Sequence, residues 1–248
     1  MFSNLKGITP YAALLLELTR RNLEQYVEPW AVRHVAPALA GDVDAAASLA
    51  VAVSNAKRGI VAVMFWQAKV SVPAFATLLI SVWDHDHQEL IAAAETRRRL
   101  RAMFRYAKYQ IPEEFSTTVR VWRGTNYLTV KQASKGISWT TDRDVACWFA
   151  MRFAGVHARP LVLSTFVPKD SILCYSNDRS ESEAVIFDIG DVTVDGTPED
   201  WQERRAARDA EQKAEYEKWK AGITPGTDQT DHTVDAKKNH GIVEYQTT

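Results

Sequence analysis

Apolar residues recur at helical spacing over the first half of the chain and at alternate positions over most of the third quarter. Leu14, Leu15, Leu18 and Leu23 fall near one helical face, and Pro29 ends that run. Gly41-Asp42 reads as a stop followed by an N-cap, which predicts a helix over 43–66. Ser71 or Val72, with Pro73 just inside, marks another start. A further helix is expected over 86–109, ending before Pro112. The period then changes to two. Residues 118–123 read as a strand ending at Gly124, and 136–141 as a second. Stretches 161–167, 171–175 and 184–189 give three more. Between them, 142–153 return to helical spacing through Val145, Trp148, Phe149 and Arg152. A polar helix is expected over 198–221, anchored by Trp201, Tyr216 and Trp219. From Ile223 the chain is mostly Thr, Asp, Gly and Lys, as in a mobile tail.

This order predicts an α+β protein. A helical region, 1–115, packs on a small mixed β-sheet domain, 116–195, and a polar helix with a flexible tail follows, 196–248. No internal repeat is visible. Composition adds exclusions rather than detail. With 248 residues, 46% hydrophobic and 25% charged, the chain is neither collagen-like nor mostly disordered. A net charge of −1 excludes a globally basic nucleic-acid binder but leaves room for a local patch. Two cysteines, Cys147 and Cys174, make neither a disulfide framework nor a zinc site, and a cytoplasmic compartment is the easier reading. The opening Met1-Phe2-Ser3-Asn4-Leu5-Lys6 lacks a basic segment followed by an apolar core. Gln67, Lys69 and Pro73 interrupt the greasiest stretch, so no membrane partner is expected.

Three short segments carry candidate chemistry. In Val119-Arg120-Val121-Trp122-Arg123-Gly124, alternation puts Val119, Val121 and Arg123 on one face. An arginine emerging at a strand's end can pair with phosphate or carboxylate oxygens. Gly124 permits close backbone approach to a ligand. In Ile137-Ser138-Trp139-Thr140-Thr141, the hydroxyls of Ser138 and Thr140 share a face and can orient a carboxylate or a ligand amide. In Glu181-Ser182-Glu183, two carboxylates precede a strand. Aimed into a cleft, they suit a cationic transition state and an incoming nucleophile. Each segment also has a plain structural reading: an edge-strand arginine, β-propensity, and surface acids.

Taken in order, Arg123-Gly124, Ser138-Trp139-Thr140 and Glu181-Ser182-Glu183 resemble the R-S-E class of mono-ADP-ribosyltransferases. Ala146 and Phe149-Ala150 follow the middle motif as in that family's strand-then-helix, and the similarity covers about 116–190. The family often reads Ser-Thr-Ser, whereas Trp139 and Thr140 stand here in the second and third places. Trp139 should therefore point away from the site. The resemblance implies an ADP-ribosyltransferase-like catalytic core with NAD as substrate. It implies that Arg123 binds the NAD diphosphate or ribose and that the Gly124 backbone holds the nicotinamide amide. Ser138 would orient the catalytic carboxylate, and Thr140 would join the NAD-binding set. Glu183 would hold the ribose 2′-hydroxyl and stabilise the oxocarbenium ion, and Glu181 would activate the nucleophile. The loop Tyr175-Ser176-Asn177-Asp178-Arg179-Ser180 would meet the target, chiefly through Tyr175 and Asn177. The implied role is that of an intracellular toxin, defence effector or phage-delivered enzyme. A toxin would require an antitoxin or inhibitor protein as partner.

Two further features change the picture less. Trp83-Asp84-His85-Asp86-His87 resembles a metal cluster, but His34, His157, His232 and His240 are scattered, so a helix-start cap with polar packing is the reading taken and no metal is expected. The run Arg97, Arg98, Arg99, Arg101, Arg105 and Lys108 spreads around a helix. A solvated face or an acidic-partner surface is the plain reading. Placed beside the cleft, Arg98, Arg101 and Arg105 would instead guide an RNA or DNA acceptor, with protein the other candidate. Two alternatives to transfer stay open: an NAD glycohydrolase, and a non-catalytic module binding nucleic acid or protein.

Overall fold

The computed structural model describes residues 10–153, 155 and 158–222, with side chains from Glu17 onward. The expected tail from Ile223, the opening Met1 to Lys6, and His157, His232 and His240 lie outside the described residues. Six helices come first: α1 (Pro10–Glu24), α2 (Val35–Leu39), α3 (Val43–Ala52), α4 (Asn55–Gln67), α5 (Val72–Ala94) and α6 (Arg97–Ala107). The Asp42 side chain caps α3 by accepting from Ala45 N, and Gly41 before it has φ 103°, open to glycine at little cost.

Two helical expectations need correction. The single helix over 43–66 is two, α3 and α4, broken at Val53, whose extended backbone (φ −90°, ψ 134°) bridges to Val27. Val53 is buried at the break and its N–H still reaches Leu49 O at 3.1 Å, so the interruption leaves no orphaned donor there. The helix expected over 86–109 does not begin at Asp86. α5 runs through it with a kink, Asp86 having φ −138° and ψ 41°. α6 is a separate helix started by Thr96, whose hydroxyl accepts from Arg99 N. Arg58 ties the two irregularities together: Nε donates to Val53 O at 3.1 Å and Nη1 to the Asp86 carboxylate at 2.6 Å.

The second half supplies β1 (Thr118–Asn126), α7 (Val130–Ala133), β2 (Ser138–Thr140), α8 (Arg143–Met151), β3 (Pro160–Pro168), β4 (Ile172–Ser176), β5 (Glu183–Ile186), β6 (Thr193–Val194) and α9 (Pro198–Lys220). The strands form one open sheet in the order β4-β5-β2-β1-β3-β6. It is not mixed: every pairing is antiparallel, although β5-β2, β1-β3 and β3-β6 are neighbours that do not follow one another in the chain. β1 does not end at Gly124 but continues to Asn126, because β3 pairs with it from Thr118↔Pro168 to Asn126↔Pro160. Its other edge meets β2 in register at Trp122↔Thr140.

The core does not stop where composition changes. The main apolar cluster fills the helical bundle and takes in Ile137, Cys174, Val185 and Phe187 from the second half. Trp139 lies in a separate cluster with Val121, Leu163 and Ala184, on the face opposite Ser138 and Thr140. A third joins α8, Val162 and Trp201 of α9. One compact unit extends through Arg208, and a second begins at Asp209, where Tyr216 and Trp219 pack on each other with centroids 5.9 Å apart. No described helix is long and apolar enough to cross a membrane.

Candidate functional site

Arg123 is where the site begins. Its side chain is partly buried and donates through Nη1 to the backbone carbonyl of Ser138. That contact lies just past the register pair Trp122↔Thr140, so a side chain takes a carbonyl beside the β1–β2 seam. Gly136 makes room: a Cβ there would stand 2.3 Å from Arg123 Cζ. Burial pulls the guanidinium pKa below its usual value, and the Glu183 charge opposes that pull. Arg123 Nε is buried without a hydrogen-bond partner among the described residues. Gly124 answers to a different neighbour from the one expected. A Cβ at this position would lie 1.7 Å from Ala146 O, so α8, not only a ligand, demands the glycine.

Arg123, Gly124, Ser138, Thr140, Glu181 and Glu183 line one cavity of about 310 Å³, together with His87, Phe149, Arg152 and Arg179. Its volume is within the range of small-molecule sites. Glu183 starts β5, opposite Thr140 on one side and Ser176 on the other. Glu181 sits in the loop before it. Arg179 neutralises both carboxylates, at 2.7 Å from Glu181 and 3.8 Å from Glu183. Burial pushes the Glu181 pKa up, with Arg179 opposing and Glu183 adding to the rise. The Ser138 hydroxyl has no hydrogen-bond partner among the described residues. The Thr140 hydroxyl is committed to the backbone: it donates to Glu181 O at 2.7 Å and accepts from Asp142 N at 3.0 Å. Thr140 therefore holds the carboxylate loop and does not present a free hydroxyl.

The same loop absorbs one residue assigned to target contact. Asn177 Oδ1 accepts from Ser182 N at 3.0 Å and from Ser182 Oγ at 3.2 Å, which supports the left-handed backbone of Ser182 (φ 47°). Tyr175 packs edge-on against Phe115, with centroids 5.0 Å apart. Neither Tyr175 nor Asn177 lines the cavity. In the basic run, Arg101 pairs with Asp188, and Arg97 donates to Lys135 O and Phe187 O at 2.8 and 2.5 Å. These two arginines fasten α6 to the sheet. Arg98 and Arg105 are exposed.

The segment 83–87 contributes what local sequence did not announce. It does not cap a helix start, because α5 passes through it. No group of His, Cys, Asp and Glu among the described residues is arranged to hold a metal. Asp86 faces Arg58, and His85 turns its Nδ1 to Ser81 O at 2.9 Å. Asp84 is buried with Ser176 Oγ 3.4 Å away. Burial, followed by the Glu183 charge, pushes its pKa up to about 6. Partial desolvation lowers the His87 pKa, with the Glu183 charge opposing, and its side chain lines the cavity. Arg152, its Cζ 4.9 Å from the centroid of the Phe149 ring beneath it, forms another wall. Arg179 stood within the quoted loop and Phe149 within the quoted motif. His87 enters only through the packing of α5, which no nearby pattern encodes. No family model, no curated protein and no solved structure matches this chain.

Proposed function

We propose that this protein is an NAD-dependent mono-ADP-ribosyltransferase that delivers ADP-ribose to a nitrogen nucleophile on RNA, DNA or protein inside a cell, in the manner of a toxin or defence effector. One observation carries the reading. Residues from three separate segments, Arg123 and Gly124, Ser138, and the carboxylates Glu181 and Glu183, line a single cavity. Breaking the bond between ribose C1′ and nicotinamide sends the bonding electrons to nicotinamide, which leaves neutral, and puts positive charge on the ribose. The task is then charge stabilisation and positioning rather than strong acid catalysis. Glu183 supplies negative charge at the ribose. Arg123, partly buried and anchored on the Ser138 carbonyl, is suited to the diphosphate. The acceptor nitrogen attacks C1′ and its proton passes to Glu181. Arg179 holds both carboxylates until substrate enters.

Incubation with labelled NAD and cell lysate tests the reading. Label on a macromolecule supports transfer, free ADP-ribose supports hydrolysis in its place, and the absence of both overturns the reading of this protein as an enzyme. Nuclease or protease treatment then identifies the acceptor polymer. Glu183→Gln should lower the rate on the order of 10²–10³-fold, since a preorganised charge is lost while shape is kept. Near-normal turnover in that variant overturns the site.

A further inference from the structure

We infer that an aromatic and cationic rim beside the cavity is a stacking surface for single-stranded nucleic acid, and that it leads one base of that strand to the site as the acceptor. This inference rests on the reading of the protein as an ADP-ribosyltransferase and narrows its acceptor to unpaired RNA or DNA. Phe153, just after α8, and Tyr127, just after β1, are 67% and 57% exposed. Exposed aromatic rings that cluster mark binding surfaces. These two are fastened together. The Tyr127 hydroxyl donates to Phe153 O at 3.4 Å, and Tyr127 N donates to Arg159 O at 3.2 Å. Arg159 N in turn donates to Asn126 Oδ1 at 2.8 Å. Tyr127 also holds φ 67°, a left-handed backbone that costs a bulky residue energy and is concentrated at functional positions.

Arg152 joins this rim to the cavity. Its guanidinium carbon lies 4.6 Å from the centroid of the Phe153 ring, 5.1 Å from that of Trp148 and 4.9 Å from that of Phe149. Arg152 and Phe149 line the cavity together with Glu181. Burial lowers the Arg152 pKa and the Glu181 charge opposes that fall, so the two groups act on each other. A base that follows the rings inward therefore meets the carboxylate that takes its proton. Charge selects the polymer. In 115–141 and 145–169, the stretches that supply this rim, every charged side chain is basic, and Arg152 and Arg159 are exposed. Cations set among aromatic rings match a phosphate backbone whose bases turn onto the rings. An arginine on a protein acceptor would meet these cations at like charge. A duplex keeps its bases stacked inside and reaches the rings only by flipping one out.

Fluorescence anisotropy with the full chain and a labelled mixed-sequence 12-nucleotide strand, as RNA and as DNA, tests this without NAD. At least one of the two strands should bind at least tenfold more tightly than its duplex. Phe153→Ala and Tyr127→Ala should each weaken binding about tenfold, whereas Tyr127→Phe, which keeps the ring, should not. Arg159→Gln should lower the slope of log affinity against log salt by about 0.7, as for one lost phosphate contact on a single strand. With labelled NAD added, the bound strand should take up label, and less of it in the two alanine variants. The inference is overturned if neither strand binds, if the duplex binds as tightly, or if both alanine variants bind like the unmodified protein. Label found on protein alone also overturns it. The two readings fail separately. NAD cleavage with no strand binding removes the stacking surface and leaves the enzyme standing. Strand binding with no NAD cleavage removes the enzyme, and the acceptor role with it.

Discussion

Replacing Gly136 by Ala places a methyl group 2.3 Å from Arg123 Cζ and 2.4 Å from Nε, its nearest neighbours all belonging to that side chain. The guanidinium, at the end of a flexible side chain, must give way. Folding stability should therefore change little, while on the proposed function NAD affinity in calorimetry falls about tenfold, because a displaced fork no longer presents its donors in register. An unchanged affinity would show that Arg123 does not touch the dinucleotide. Asp84 gives a second test at this scale, in pH. Its pKa rises from 3.8 to about 6 through burial and the Glu183 charge, with Asp178 adding to the rise and Arg179 and His85 opposing it. The folded state thus holds the proton more tightly than the unfolded chain. Stability falls as pH rises from about 4 to 6, and the penalty is complete above that. Asp84→Asn should be more stable than the unmodified protein at pH 7.5 by roughly 2 kcal/mol after solvent screening, and no more stable at pH 3.5. Chemical denaturation at the two pH values measures it. A gain that is equal at both would trace the effect to packing instead of titration.

At the scale of elements, the kinked α5 decides how the helical region meets the site. Arg58 and Asp86 make an ion pair whose side chains are only 15% and 9% exposed, and Arg58 also serves the broken end of α3. Arg58→Met should cost about 3 kcal/mol, the lower end for breaking a buried pair, since one carboxylate is left unpaired. Double substitution with Asp86→Asn should recover part of that loss in a thermal melt, as pairs in contact are not additive. Full additivity would mean the kink does not depend on the pair. Gly59 explains why α4 and α5 lie so close, since a Cβ there would be 2.2 Å from Glu89 O. The α5 segment carrying His87 and Gln88 is therefore fixed from behind by backbone-to-backbone contact.

Over the whole molecule, composition suggests separate regions, yet the apolar core runs from the helices into the sheet. Phe187 is buried in it, 6.1 Å from the Phe104 ring, and the Arg97 guanidinium lies 5.3 Å from its centroid. Phe187→Ala should cost about 3–5 kcal/mol and lower one shared transition, not one of two. Far-ultraviolet circular dichroism, dominated by helices, and tryptophan fluorescence should melt together before and after the change. Two separated transitions would mean that the helical bundle and the sheet are independently stable.

The sequence by itself determined the kinds of element and most of their positions. Period-two runs marked β1, β3, β4 and β5, and the signals at Asp42, Ser71 and Pro73 marked helix starts, because side-chain periodicity and capping act within a few residues. It also singled out Arg123, Ser138, Glu181 and Glu183 by type and order. Tertiary structure decided the rest. Val53 and Asp86 interrupt helices because Val27 and Arg58, distant in sequence, meet them there. Thr140 and Asn177 are occupied by the carboxylate loop, and Arg97 and Arg101 by the sheet, through partners 41, 5, 90 and 87 residues away. His87 reaches the site by helix packing alone. Local pattern records how a residue sits on its own element, and only the packing of elements decides what that residue faces.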